Sequence, residues 1–415
     1  AAPSNKMTSI RERYAPRFCS EEAEIRQSYV SFTQKNLYNF GEFNTQAYLY
    51  DSPEAKRQFA LVVLPDGCVQ VTKPGDREQV YTINGGMRCM EKSYLRGEAV
   101  CRRKQKKLPR ATKTQKFSIL VHNAYGKNKN NFQHFFMDHL GPLLAAEQQL
   151  KDEPNARFLV DINGRSREIL SEIGFPMKRL VDFTPGTRYC AKELMVSTIV
   201  PMDQTFWPQN NTHAKQVWLP EDFVLAGQWM SASYARLHGG GQPPKKKYIL
   251  YASRGSPAGK PHLSATGQVS TRPSRNIVND EEVISFLRSF VHERAHLGLE
   301  VLVYYGGFTS IKDSIRMFQE ARVVVGVHGA NMANIAMAAP DKGTAVVEFV
   351  GVRHAKYENF LSYFYFGRSS ALDYYNIPKR CSNAKCDKMH VNTADIGIAL
   401  KDLLEAPQTQ CDNAL

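Results

Sequence analysis

The chain has 415 residues, of which 42% are apolar and 23% charged, and a formal net charge of +14. That length exceeds what one ordinary hydrophobic core organises, so two domains are expected, and every apolar run is far shorter than the ~20 residues of a membrane-spanning helix. The positive charge concentrates in Arg102-Arg103-Lys104-Gln105-Lys106-Lys107 and Lys245-Lys246-Lys247; with no aromatic interleaving and no recognisable module around them, these read as loop charge and no nucleic-acid partner is expected.

Residues 1–115 read as a strand-rich extension packed on the first lobe. Within it, the apolar run Phe59–Leu64, then Pro65-Asp66-Gly67, then Cys68–Val71 predicts a β-hairpin. From Lys116 the rhythm changes to alternating elements: strand Phe117–Val121, helix Asn131–Leu150, strand Phe158–Asp161, helix Arg165–Ile173, strands Leu180–Phe183 and Leu194–Val200. Gly239-Gly240-Gly241-Gln242-Pro243-Pro244 is the clearest linker signal. Beyond it come strand Tyr248–Ala252, helix Asp280–Glu293, strand Leu299–Tyr304, helix Ser310–Glu320, strand Val323–Val327, helix Met332–Ala339 and strand Ala345–Val350. Short buried strands alternating with helices predict an α/β fold of doubly wound parallel sheets. The expected division is an extension at 1–115, a Rossmann-like lobe at 116–238 and a second Rossmann-like lobe at 245–405.

Eight cysteines, Cys19, Cys68, Cys89, Cys101, Cys190, Cys381, Cys386 and Cys411, suit disulfides by their even number. Cys381 and Cys386 with His390 match no familiar zinc spacing, so a disulfide is favoured there. Asn210-Asn211-Thr212 is a glycosylation sequon with Asn210 as acceptor. Together these place the chain in a secretory lumen, and the abrupt start at Ala1-Ala2-Pro3 fits an anchor removed upstream.

Four segments carry chemistry. In Val323–Asn334 (VVVGVHGANMAN) a β-branched strand ends at His328-Gly329-Ala330 and a helix is predicted to come next. Ligands of open α/β sheets bind beyond the C-terminal strand ends, glycine lets the backbone come close to them, and free amides with a helix dipole suit a diphosphate. Tyr251-Ala252-Ser253-Arg254 ends the second lobe's first strand, with Arg275 and Asn276 downstream of it; a strand-end guanidinium pairs bidentately with phosphate. In Asn131–Asp138, His134 and Asp138 stand four apart on one helix face, and either is a candidate general base. Glu348 lies within the apolar strand and needs a polar partner, either a sugar or ribose hydroxyl or an ion pair.

The segments NFQHFFMDHL (131–140), YASR (251–254), RNIVNDEEV (275–283), ARVVVGVHGANMANI (321–335) and GTAVVEF (343–349) resemble, in this order, glycosyltransferase family 61. Members of that family include plant β-1,2-xylosyltransferase and the EGF-domain O-GlcNAc transferase. The resemblance spans about Lys116–Tyr375. The family typically has His-Gly-Ala-Gly-Leu where this chain has His328-Gly329-Ala330-Asn331-Met332. The resemblance implies a GT-B enzyme, two Rossmann-like lobes facing across a cleft, which moves a sugar from a UDP-sugar to a glycan or glycoprotein hydroxyl with inversion. Xylose is favoured, with a UDP-GlcNAc-dependent transferase or a non-catalytic glycan-binding protein as alternatives. Donor binding is expected from Arg254, Arg275, Asn276, His328, Gly329, Ala330, Asn334 and Glu348, and base catalysis from Asp138, then His134. The UDP-sugar is a co-substrate, and no cofactor or divalent metal is expected. The expected location is the Golgi or endoplasmic reticulum lumen, with type II anchoring.

Overall fold

A computed structural model describes residues 34–40, 45–52, 57–70, 79–82, 87–89, 101–104, 111–123, 135–160, 162, 164–201, 220–238, 244–258, 260, 276–329, 331–338, 343–351, 373–379 and 388–405. The chain divides into one unit over Tyr29–Ala226 and another over Gly227–Leu415. The division falls inside a helix rather than at the Gly239–Pro244 linker.

The first unit holds β1 (Gln34–Phe40), β2 (Thr45–Ser52), β3 (Arg57–Gln70), β4 (Gln79–Thr82), β5 (Met87–Cys89), β6 (Cys101–Lys104), β7 (Lys113–Asn123), α1 (Gly141–Gln149), β8 (Ala156–Val160), α2 (Gly164–Glu172), β9 (Leu180–Asp182) and β10 (Thr187–Pro201). All ten strands form one sheet, ordered β6-β5-β4-β3-β10-β7-β8-β9, with β2 also on β3 and β1 on β2. β10, β7, β8 and β9 run parallel, as expected of an α/β lobe. β3 joins β10 antiparallel, so the N-terminal strands extend the lobe's own sheet.

The expected hairpin at Pro65-Asp66-Gly67 is absent, because β3 runs straight through it. Its register with β10 is the same on both sides of Asp66, from Arg57 to Pro65 and from Gly67 to Gln70. On its other edge, β3 pairs β2 up to Val63 and β4 from Gly67. Pro65 and Asp66, both exposed, sit at this exchange of partners, with Asp66 at φ 49°. A proline removes a ladder donor at little cost where no neighbour would receive it. Across β3 and β10, Cys68 and Cys190 are directly opposed and joined in a buried disulfide. Cys381 and Cys386 lie outside the described residues.

The predicted helix Asn131–Leu150 begins as a π-helical turn, Phe135–Leu140, and continues as α1. Buried Phe135, Phe136 and Leu140 seat the turn, and Pro142, which has no amide to donate, stands where the π-helical turn passes into α1. Arg179 holds the other end. Its guanidinium donates to the carbonyls of Leu150 (2.7 Å), Glu153 (3.1 Å) and Ala156 (3.2 Å) and lies 4.8 Å from the Phe158 ring centre. Arg179→Ala leaves the Leu150 and Glu153 carbonyls without their charged donor, while that of Ala156 keeps Arg157 at 3.1 Å, so it is expected to cost about 2–3 kcal/mol, read as a lower urea midpoint. An unchanged midpoint would show that water replaces the guanidinium fully.

The helix α3 (Pro220–Leu237) leads into the second unit. That unit holds β11 (Tyr248–Ser253), β12 (Asn276–Ile277), α4 (Asp280–His292), β13 (Glu300–Tyr305), α5 (Ile311–Gln319), β14 (Ala321–Val327), β15 (Ala345–Gly351), β16 (Asp373–Lys379), β17 (Lys388–Met389) and α6 (Thr393–Glu405). Five strands form a wholly parallel sheet, ordered β13-β11-β14-β15-β16. β12 and β17 pair separately. Ile249, Leu250, Tyr251, Val323, Val324, Val325, Val346 and Val347 are wholly buried, as strands covered on both faces require. Val283, Ile284, Leu287 and Phe290 of α4 cover one face together with Ile396, Ala399 and Leu400 of α6. Ser310 caps α5, its hydroxyl accepting from the Asp313 amide at 3.0 Å.

The basic run Lys245–Lys247 is largely committed to the lower edge of this sheet. Lys246 Nζ donates to the Gln319 carbonyl (2.8 Å) and Thr344 Oγ1 (2.7 Å). Lys247 Nζ pairs with Glu320 at 3.4 Å, and Tyr234 of α3 donates to the same carboxylate at 2.7 Å. Two of the three lysines thus serve the fold rather than a polyanion. Among the described residues, no helix is long and apolar enough to cross a membrane.

Candidate functional site

In the second unit the chain leaves β11, goes outward to β13, then returns past β11 to β14. The order reverses between β11 and β14, and an open parallel sheet holds its ligand beyond the strand ends at such a switch point. Arg254 comes directly after β11, and His328-Gly329 directly after β14. Topology therefore brings two of the predicted phosphate-binding positions to the same pair of strand ends.

His328 is built by the register of β14 and β15. Gly326 lies opposite Glu348, and the ladder continues with the His328 amide donating to the Phe349 carbonyl at 2.9 Å. Residues two apart on a strand share a face, so His328 comes to lie above Glu348. Its Nδ1 is 2.8 Å from Glu348 Oε1. His328 is 4% exposed and Glu348 0%, so the imidazole is a polar partner of this buried carboxylate. An ionised carboxylate only accepts, so toward Glu348 in that form Nδ1 is the donor. Nε2 is the nitrogen this pairing does not use.

Beyond β14 the expected helix Met332–Ala339 is instead a six-residue 3₁₀ turn, Met332–Met337. It is too short to carry an α-helical dipole, so local amides are what it offers an anion. Gly329 has φ 143°, a region closed to most L-residues, and its carbonyl accepts from the Met332 amide at 2.8 Å. Asn331, which stands in place of a glycine, has φ −66° and ψ −32°, so the backbone there requires no glycine. Asn334 is wholly buried; its Nδ2 donates to the Asn331 carbonyl at 2.9 Å.

Arg254 is half-buried, and the loop bearing it is held from beneath. Asp280, the first residue of α4, accepts from Tyr251 Oη (2.5 Å) and from Ser253 Oγ (2.8 Å). Ser253 Oγ in turn accepts from the Gly255 amide at 2.9 Å. Burial, and then the Asp280 carboxylate, pushes the Tyr251 hydroxyl well above the ordinary phenol range, so it stays a donor. Residue spacing alone shows only an acidic helix start in Asp280-Glu281-Glu282; the role of Asp280 depends on strand order.

The other predicted site residues are reached less fully. Asp138 is in the π-helical turn; its side chain and all of His134 lie outside the described residues. Asn276 begins β12, its side chain likewise outside them, as are Arg275, Ala330 and the sequon Asn210.

The model of the family described as Glycosyltransferase 61 matches residues 132–347, a span that takes in the π-helical turn, Arg254, Asp280 and the His328 turn. The chain belongs to glycosyltransferase family 61. No curated protein matches it. Membership makes the chain a glycosyltransferase, with a sugar donor and a glycan acceptor. The matched span of family 61 ends at Val347, one residue before the carboxylate that pairs with His328.

Proposed function

We propose that this family 61 protein transfers a sugar, with xylose favoured, from a UDP-sugar to a hydroxyl of a glycan or glycoprotein by a single inverting displacement in a GT-B arrangement. The observation that carries the reading is the placing of Arg254 and the His328-Gly329 turn on the two strand ends at the switch point, the position where a parallel sheet receives a nucleotide. In the reaction the acceptor oxygen attacks the anomeric carbon, the bond from that carbon to the diphosphate oxygen breaks, and UDP departs with the bonding electrons. The acceptor proton passes to a base, Asp138 or else His134. Arg254 and Arg275, His328 and the amides of Gly329 and Ala330 stabilise the charge growing on the diphosphate, with Asn276 and Asn334 completing the donor site and Glu348 orienting His328. Fixed cations of this kind do the work without a divalent metal. The buried Cys68–Cys190 disulfide supports a secretory lumen.

Incubation with a panel of UDP-sugars, reading UDP release and then the glycan product, tests this. UDP-xylose is expected to turn over fastest, in the presence of a chelator as well. Arg254→Ala removes one charge-assisted contact of roughly 1.5–3 kcal/mol, or about ten- to a hundredfold in turnover efficiency. Release from no UDP-sugar, with glycan binding retained, would replace the enzyme reading by that of a binding protein. Turnover abolished by the chelator would overturn the metal-free mechanism.

A further inference from the structure

The β11 and β14 ladders end at the switch point, and no strand pairing fixes the spacing of the two loops beyond it. A side chain does. Asn331 Nδ2 donates to the Ser253 carbonyl at 2.8 Å, across 78 residues of sequence. Its Oδ1 lies where β13 has just ended: a Cβ on Gly306 would come within 2.7 Å of it. Its own carbonyl is held by Asn334 Nδ2 at 2.9 Å. Ser253 is 1% exposed and is fixed at both ends, its carbonyl by Asn331 and its hydroxyl by Asp280. Arg254 is the next residue and takes its origin from that clamp.

We propose that Asn331 is a positioning residue, whose amide ties the loop bearing Arg254 to the turn bearing His328 and so sets where Arg254 meets the donor diphosphate. This rests on the reading of the switch point as the donor site. The chemistry demands an amide. A carboxylate of the same shape would set an acceptor against the Ser253 carbonyl, and a shorter side chain would not span the gap. Gly306 belongs to the same device, since any larger residue there would displace Oδ1.

The test measures UDP affinity by calorimetry, and donor KM and kcat, for the full chain and for Asn331→Ala, Arg254→Ala, Gly306→Ala and their pairs. Loss of one neutral hydrogen bond corresponds to about three- to tenfold. Asn331→Ala is expected to weaken UDP binding and raise donor KM by that factor while kcat moves less. In an Arg254→Ala background it is expected to add nothing, because the residue it positions is gone. Gly306→Ala is expected to reproduce the loss alone and to add little beside Asn331→Ala, a coupling that neighbours in contact show. Should Asn331→Ala fail to fold, Asn331→Ser takes its place in the same cycle. Unchanged UDP affinity in a folded variant overturns the proposal, as does a loss that persists without Arg254, which would mark a merely structural role. A wild-type chain that binds no UDP overturns the donor reading and this proposal together.

Discussion

Glu348→Gln is expected to leave the fold intact and lower kcat/KM about 3–10-fold, whereas Glu348→Ala is expected to cost about 3–5 kcal/mol of stability as well. The two variants separate what the carboxylate does. It is wholly buried within β15 and meets His328 Nδ1 at 2.8 Å. Alanine leaves the imidazole nitrogen without its acceptor in an apolar strand and opens a cavity, and both effects act on folding. Glutamine fills the same volume and keeps an oxygen, but it carries no charge, and its amide can rotate to present a donor to Nδ1. The proton then belongs on Nε2, reversing what His328 offers to a ligand. A charge-assisted bond, worth about 1.5–3 kcal/mol, is roughly twice as strong as a neutral one, so about half of that, roughly 1 kcal/mol, is what turnover should lose, or about fivefold. Urea midpoints and steady-state kinetics on both variants check it. Wild-type turnover in Glu348→Gln would reduce the pair to packing.

How far the sequence leads to this site depends on which relations are local. The parallel strands of the second unit are legible because they are buried on both faces, so Val323–Val327 and Ala345–Val350 appear as short valine-rich runs broken only by Gly326 in the first and by Glu348 and Phe349 in the second. The edge strand β16, DYYNIPK, has one neighbour and tolerates polar residues and a proline, so its composition hides it. Pro65-Asp66-Gly67 misleads for a related reason. A turn signal reports a missing donor and a positive φ, and an exchange of strand partners produces both without reversing the chain. Within the site, Arg254 and His328 can be read as residues ending strands. Asn331 and Asp280 cannot be assigned in that way. Asn331 acts on Ser253 across 78 residues and Asp280 acts on it across 27. Both contacts exist only because β11 lies between β13 and β14, an order that strand patterns do not specify.

Gly329→Ala is expected to lower kcat/KM on the order of a hundredfold, more than its effect on stability would account for. At φ 143° an added Cβ is strained by about 1–3 kcal/mol. The chain relieves such strain by rotating the next peptide. That rotation breaks the bond from the Met332 amide to the Gly329 carbonyl, which starts the 3₁₀ turn. It also redirects the amides proposed to face the diphosphate, and it moves His328 relative to the bound donor. Displacements of about 1 Å at a reacting group cost roughly a hundredfold. A second glycine supplies the control. Gly298 lies in a left-handed turn, at φ 60° with open space around its missing Cβ, in the connection between α4 and β13. Gly298→Ala carries a strain of about 1–2 kcal/mol with no route to the strand ends that bear Arg254 and His328. If both substitutions lower the melting temperature alike and only Gly329→Ala loses turnover and UDP affinity, the backbone at 329 is held for the ligand. If the two variants lose turnover in proportion to their loss of stability, the turn after β14 is a matter of folding, and the diphosphate must be sought elsewhere.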